Sequence, residues 1–247
     1  MKPRAFLLAG AALVATASSA RASEAPLFPA GTRILFQGDS ITDMNRGRTA
    51  DPNHILGHSY VFVIASRQGA AFPELHLTFI NRGVSGNRVA DLAKRWQADT
   101  LDLKPDVLSI LIGINDVDAA FRRNQPLDVA EFEKGYDQLL ADTVAALPKI
   151  KFVLLEPFIL PGKHNADRPD EWRAKMIEVR AAVARLAAKY HAPVVPLQKV
   201  FDDACQRAPA DYWIWDGIHP TYSGHQLIAD EWERVYRAFY GAPSAPR

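Results

Sequence analysis

Five short apolar runs punctuate the chain, each rich in β-branched or other large apolar residues. They are Arg33–Gln37 (RILFQ), Leu77–Asn81 (LTFIN), Val107–Ile112 (VLSILI), Lys151–Leu155 (KFVLL) and Pro193–Leu197 (PVVPL). Apolar and polar positions do not alternate within them, which is the pattern of strands covered on both faces. Longer stretches at Tyr60–Phe72, Val89–Asp99, Val129–Leu147, Pro169–Tyr190 and Thr221–Tyr240 carry apolar residues at helical spacing, and Leu197–Arg207 is helix-like as well. No internal repeat or long linker interrupts this order. Strands alternating with helices predict a parallel sheet between two helical layers, a three-layer α/β/α sandwich. In open sheets of this kind ligands bind beyond the carboxyl ends of the strands, so reactive residues are expected directly after the five runs.

The first residues stand apart from that pattern. Lys2 and Arg4 precede an apolar and small-residue run from Ala5 to Ala20, which ends in Ala20-Arg21-Ala22. A basic start, a short apolar centre and an A-x-A site predict a signal peptide cleaved after Ala22. The run is shorter than the roughly 20 residues that span a bilayer. The mature chain is then expected to be one domain, residues 23–247, in the periplasm or outside the cell. Loss of three basic residues and no acid moves the formal net charge from +1 to −2. That balance gives no electrostatic footprint for nucleic acid or an anionic membrane, and neither is an expected partner. Cys205 is the sole cysteine, so an internal disulfide is excluded and stability must come from the core.

Chemistry-bearing residues fall where the sheet argument puts them. After the first run comes Gly38-Asp39-Ser40-Ile41-Thr42-Asp43. A serine where a buried strand turns sharply is exposed at the rim of the sheet, and a glycine permits the tight path. Alone, the segment reads more readily as a helix cap. The second run leads into Asn81-Arg82-Gly83-Val84-Ser85-Gly86-Asn87. There the Gly83 N–H is expected to face the site, and Ser85-Gly86-Asn87 to form a capping turn. The third leads into Gly113-Ile114-Asn115-Asp116, where a neutral amide can donate to a developing oxyanion. Near the end, Asp216-Gly217-Ile218-His219-Pro220 puts a carboxylate three residues from an imidazole, close enough to accept its Nδ1–H.

Together these segments resemble the four blocks of the SGNH/GDSL hydrolase family, in order and across nearly the whole mature chain. Gly38-Asp39-Ser40 matches its nucleophile block, with Ile41 where the nickname has leucine. Gly83 matches its oxyanion glycine, and Gly113 to Asp116 its G-x-N-D block. Asp216 to His219 matches its D-x-x-H block. The resemblance implies a flavodoxin-like fold with a mostly five-stranded parallel sheet. It also implies a serine esterase with Ser40 as nucleophile, His219 as base and Asp216 orienting the histidine, needing no metal or cofactor. The expected oxyanion donors are the Ser40 and Gly83 N–H groups and the Asn115 amide. Asp39, Asp116 and Trp215 are the expected substrate contacts.

The nucleophile stretch and the ending Trp215-Asp216-Gly217-Ile218-His219-Pro220-Thr221 look most like the carbohydrate acetylesterase branch. An acetylated polysaccharide or oligosaccharide is therefore the expected substrate. Tyr212, Trp213 and Trp215 beside Asp216 could stack on sugar rings or fill the core beneath the loop. A polar loop at Asp118–Pro126 weighs against a wide apolar groove, and so against a lipolytic esterase or lysophospholipase. An acyltransferase would use the same residues, and a non-catalytic carbohydrate-binding protein would have no use for the complete set. His54, His58, His76, His164, His191 and His225 show no ligand spacing with cysteines or carboxylates. His54 and His58 are expected to be surface or cleft lining, and His225 an early residue of the last helix. Oligomeric state is not legible.

Overall fold

A computed structural model describes residues 25–241. Five parallel strands form one sheet: β1 (Arg33–Gly38), β2 (Thr78–Asn81), β3 (Val107–Leu111), β4 (Lys151–Leu155) and β5 (Val194–Val195). Their spatial order is β2-β1-β3-β4-β5. The chain steps from β1 outward to β2 and then returns to the other side of β1, so the connections leaving β1 and β3 diverge. A crevice opens at such a switch point, beyond the carboxyl ends. The central strands β1 and β3 are buried almost throughout, as runs without alternation require. The fifth run yields only two strand residues, because Pro193 and Pro196 flank them and proline has no N–H for the ladder.

Helices cover both faces. On one side α2 (Tyr60–Ala71) and α7 (Leu197–Ala204) pack against α9 (Tyr222–Tyr240). On the other, α5 (Val129–Ala146) packs between α3 (Val89–Trp96) and α6 (Pro169–Lys189), and α4 (Ile114–Arg122) packs on α6. Two single turns complete the set, α1 (Ser40–Asp43) and α8 (Ala210–Trp213). Beyond Trp96 the predicted third helix widens into a π-turn, Gln97–Leu101. The expected polar loop from Asp118 is in part helix: α4 runs to Arg122, with Ile114 and Val117 buried and Phe121 packed on Trp172 at 4.9 Å between centroids. Its polar face hides that apolar stripe from a reading of composition.

An aromatic cluster fixes the α2–α9 layer to the sheet. Phe28, Phe36, Tyr60, Trp232 and Tyr236 are fully or almost fully buried, with Trp232 stacked on Tyr236 at 5.3 Å. The Trp232 ring N–H donates to Ser109 Oγ at 2.9 Å, so a polar atom inside β3 is satisfied. On the opposite face the Trp96 N–H reaches Thr143 Oγ1 at 3.0 Å. No helix among the described residues is long and apolar enough to cross a membrane.

Candidate active site

Ser40 opens α1 directly after β1. The chain must turn there against β3: a Cβ on Gly38 would collide with the Leu111 carbonyl oxygen and the Thr42 hydroxyl, so only glycine fits. Asp39 caps the turn, its Oδ1 accepting the Ile41 N–H at 3.0 Å. The Ser40 N–H, one residue earlier, donates to no other described residue.

The second partner comes from a tight hairpin before α9. Ile214 bridges Pro220 antiparallel, the Trp215 N–H donates to the His219 carbonyl at 3.1 Å, and Gly217 takes φ +99° at the tip. His219 Nε2 lies 2.8 Å from Ser40 Oγ, and its Nδ1 lies 2.8 Å from Asp216 Oδ2. Asp216 Oδ1 accepts the N–H groups of Ile218 at 3.0 Å and His219 at 2.8 Å. Burial pushes the Asp216 carboxyl up, but the hydrogen bonds from the His219 main chain and ring and from Ile218 outweigh it and hold it below the usual range. An ionised Asp216 keeps the proton on Nδ1 and leaves Nε2 as the basic nitrogen. Such a line can draw the proton from Ser40 as its oxygen attacks a carbonyl.

Donors for the resulting oxyanion sit on the loops after β2 and β3, and here the structure corrects the sequence reading. The Gly83 N–H is already bonded to Asn81 Oδ1 at 2.9 Å, so it is not free to face the site. Gly83 is glycine for another reason: a Cβ would strike the Thr42–Asp43 backbone of α1. Three residues on, Gly86 has φ +81°, open space around its Cα and no hydrogen bond from its N–H to any described residue. Two contacts hold this turn beside α1. Asp43 Oδ2 accepts both the N–H and the hydroxyl of Ser85 at 3.0 Å, and Arg48 grips the same carboxylate with two nitrogens at 3.0 and 2.8 Å. Asn115 Nδ2 donates to the Asn87 carbonyl at 3.1 Å, which places its amide against the turn and leaves a second N–H.

Asp39 does not present its carboxylate to substrate as expected, because its side chain is out of water. Asp39 is fully buried, and burial lifts its carboxyl to about 7, with the Asp116 charge adding to the rise against the Ile41 hydrogen bond. Asp116, also raised to about 7 by burial, receives long contacts from the Val89 N–H at 3.4 Å. Asp39 thus serves the scaffold of the α1 turn, whereas Asp116 stays partly exposed. Trp215 is half exposed next to Asp216, with Lys163 Nζ 4.0 Å above its ring. Trp213, by contrast, is core, at 7% exposure. His54 and His58 are exposed. His225 is buried in α9, where Nδ1 accepts the Tyr60 N–H at 3.2 Å and burial depresses its pKa to about 3. His164 was invisible to spacing arguments, being 52 residues from Asp216 in sequence. The structure puts its Nε2 3.3 Å from Asp216 Oδ2.

Comparisons with known proteins identify the family. The model of the GDSL-like lipase/acylhydrolase family matches residues 36–227. Acetylxylan esterase of Geobacillus stearothermophilus is 33% identical over 205 residues, covering 81% of this chain and 91% of that one. Among solved structures, a Parabacteroides merdae protein assigned as a GDSL-like lipase is 37% identical with a TM-score of 0.80, covering 84% of this chain and 96% of its own. LAE5, an α/β hydrolase enzyme from the metagenome of Lake Arreo, is 33% identical with a TM-score of 0.77, covering 88% and 99%. A catalytic mutant of Axe2, the Geobacillus stearothermophilus acetylxylan esterase, is 31% identical with a TM-score of 0.76, covering 85% and 95%. The chain therefore belongs to the GDSL-like lipase/acylhydrolase family of carboxylic ester hydrolases, on its carbohydrate acetylesterase-like branch.

Proposed function

We propose that the chain is an exported O-acetyl esterase that removes small acyl groups from plant or cell-envelope polysaccharides and their oligosaccharides. The observation that carries this reading is the unbroken line from Ser40 Oγ through His219 to Asp216, 2.8 Å at each step. His219 Nε2 takes the hydroxyl proton as Ser40 attacks the ester carbonyl, and Asp216 stabilises the imidazolium. The oxyanion is received by the Ser40 and Gly86 N–H groups and by Asn115 Nδ2. His219 then protonates the departing sugar oxygen. Water enters, gives its proton to Nε2 and releases acetate from the acyl-enzyme.

The substrate class rests on three supports. The relatives include an acetylxylan esterase. Trp215 offers an exposed aromatic face beside the triad, suited to stacking on a sugar ring. The N-terminal pattern directs the protein to where polysaccharide is found. A p-nitrophenyl ester series, together with acetate release from acetylated xylan, tests the reading. Acetyl is expected to be the preferred acyl group, and Ser40→Ala to lose turnover by about six orders of magnitude while keeping its thermal midpoint. A preference for long acyl chains would reassign the enzyme as lipolytic, and undiminished turnover in Ser40→Ala would refute the nucleophile.

A further inference from the structure

Asp216 is shared by two histidines, and the mechanism above uses only one. His219 Nδ1 lies 2.8 Å from Oδ2, and His164 Nε2 lies 3.3 Å from the same oxygen. The two rings meet edge to face with centroids 6.1 Å apart. One donor atom from each of His164, Asp216 and His219 can be chosen so that all lie within 4.8 Å of one another. The His164 contact is longer than the usual 2.7–3.2 Å of an N–H···O bond, so hydrogen bonding accounts for it poorly. Four-coordinate zinc holds imidazole nitrogens and carboxylate oxygens at about 2.0–2.2 Å, which sets neighbouring donors roughly 3.3–3.6 Å apart. The His164–Asp216 pair already has that spacing, and the 2.8 Å His219–Asp216 pair must open by about 0.5 Å.

We propose that His164, Asp216 and His219 form an inhibitory site for a zinc-class divalent cation. Two imidazoles and a carboxylate suit Zn2+, with Ni2+ and Cu2+ as competitors of the same ligand preference. Water takes the fourth position. As the ion enters, His219 releases its Nδ1 proton to solvent and the freed lone pair becomes a ligand. With Nδ1 on the ion, the ring loses its hydrogen bond to Asp216, which holds it 2.8 Å from Ser40 Oγ and stabilises the imidazolium, so it no longer takes the Ser40 proton. His164 also supplies the route in. Its side chain is 41% exposed, whereas that of Asp216 is 1% exposed. The third ligand is held by main chain rather than by a flexible arm, because the His164 N–H donates to the Asp216 carbonyl at 3.1 Å. The exposed His54–Asp51 pair at 3.7 Å supplies two donors and so serves as the competing surface site.

The inhibition in this proposal rests on the triad reading; the binding does not, and the test separates them. Zinc alone is titrated by calorimetry into the metal-stripped native chain and into Ser40→Ala, and p-nitrophenyl acetate hydrolysis is followed in a non-coordinating buffer. Expected are one zinc per chain in both proteins, proton release on binding, and inhibition reversed by a chelator. Outer-shell partners of metal ligands are worth about 10- to 100-fold in affinity, so loss of a ligand costs at least about tenfold. His164→Ala and His164→Gln should weaken binding by that factor, and inhibition likewise when scaled to each variant's own zinc-free rate. Zinc binding as tight in both variants as in the native chain overturns the site, as does no binding by the native chain up to millimolar zinc. Zinc that binds through His164 without slowing hydrolysis overturns the inhibitory role. A native chain that binds zinc through His164 yet hydrolyses no ester leaves the metal site standing and removes the esterase reading alone.

Discussion

Asp39 illustrates how a motif residue can be essential to a site without touching what the site binds. Its Oδ1 caps α1, its Oδ2 finds no partner among the described residues, and the whole side chain is out of water. Burial raises its carboxyl from an ordinary 3.8 to about 7. Between those values the native chain holds a proton that the unfolded chain has lost, so this group's contribution to stability falls as pH rises from about 4 to about 7 and stays low above that. Asp39→Asn keeps the capping oxygen and removes the titration. Its advantage over the native protein in urea unfolding should therefore grow by on the order of 2 kcal/mol between pH 5 and pH 8, given 1.36 kcal/mol per pKa unit. His225, held neutral with a pKa near 3, destabilises both proteins equally as pH falls below its unfolded value near 6.5, and cancels in the comparison. A difference that stays flat over this range would show that Asp39 is ionised in the native state. Sequence located Ser40, Asp216, His219 and Asn115, because each follows a strand or sits in a short-range pair. It misassigned Gly83, whose N–H is claimed by an Asn81 side chain that no spacing reveals, and it passed over His164, which reaches Asp216 only through the tertiary path of the loop after β4.

That loop, residues 156–168, is the element on which the hairpin of Asp216 and His219 leans. The Leu160 N–H donates to the Gly217 carbonyl and the His164 N–H to the Asp216 carbonyl, both at 3.1 Å. Asn165 ties the loop to itself, donating to the Leu160 carbonyl at 2.8 Å and accepting the Gly162 N–H at 3.1 Å. Gly162 lies so close to the hairpin that a Cβ would collide with Gly217 N and the Asp216 main chain. Gly162→Ala must push the two segments apart, and a displacement of about 1 Å near reacting groups can cost on the order of 100-fold in rate. We expect kcat to fall by about that factor, with a loss of about 1–3 kcal/mol in stability from overpacking. Gly69, exposed in α2 with nothing near its Cα, is the matched control. There Ala should add about 0.5–1 kcal/mol and leave kcat alone. Native-like kcat and stability in Gly162→Ala would mean the loop does not position the hairpin. Elements of this sort escape a one-dimensional reading. The central strands were legible because burial on both faces leaves an unmistakable apolar run, and the long helices because their stripes are long. The docked loop is irregular, and α4 carries Asn115, Asp116, Asp118 and Arg122 around a stripe of only three large apolar residues.

At the scale of the whole molecule, the question is where the working protein begins. The core already draws on residues ahead of β1. Leu27 and Phe28 are buried, and Phe28 contacts Phe79, Trp232 and Tyr236 at centroid distances of 6.3, 6.2 and 4.9 Å. Phe28 thus joins the edge strand β2 to α9, and the Ala25 carbonyl accepts a bond from Arg237 of the same helix at 2.7 Å. The proposed cleavage after Ala22 leaves all of these contacts in place. A cut only a few residues later would not. A chain beginning at Ser23 should melt with the full-length protein, whereas one beginning at Ala30 loses an aromatic side chain worth about 3–5 kcal/mol. For a chain of this size that corresponds to a fall of roughly 10 °C in Tm. The exported protein, recovered from a bacterial host and weighed intact, should start at Ser23. A mass that retains residues 1–22 would remove the export proposal. Equal melting of the Ser23 and Ala30 chains would instead show that Phe28 is not needed to close the α2–α9 layer.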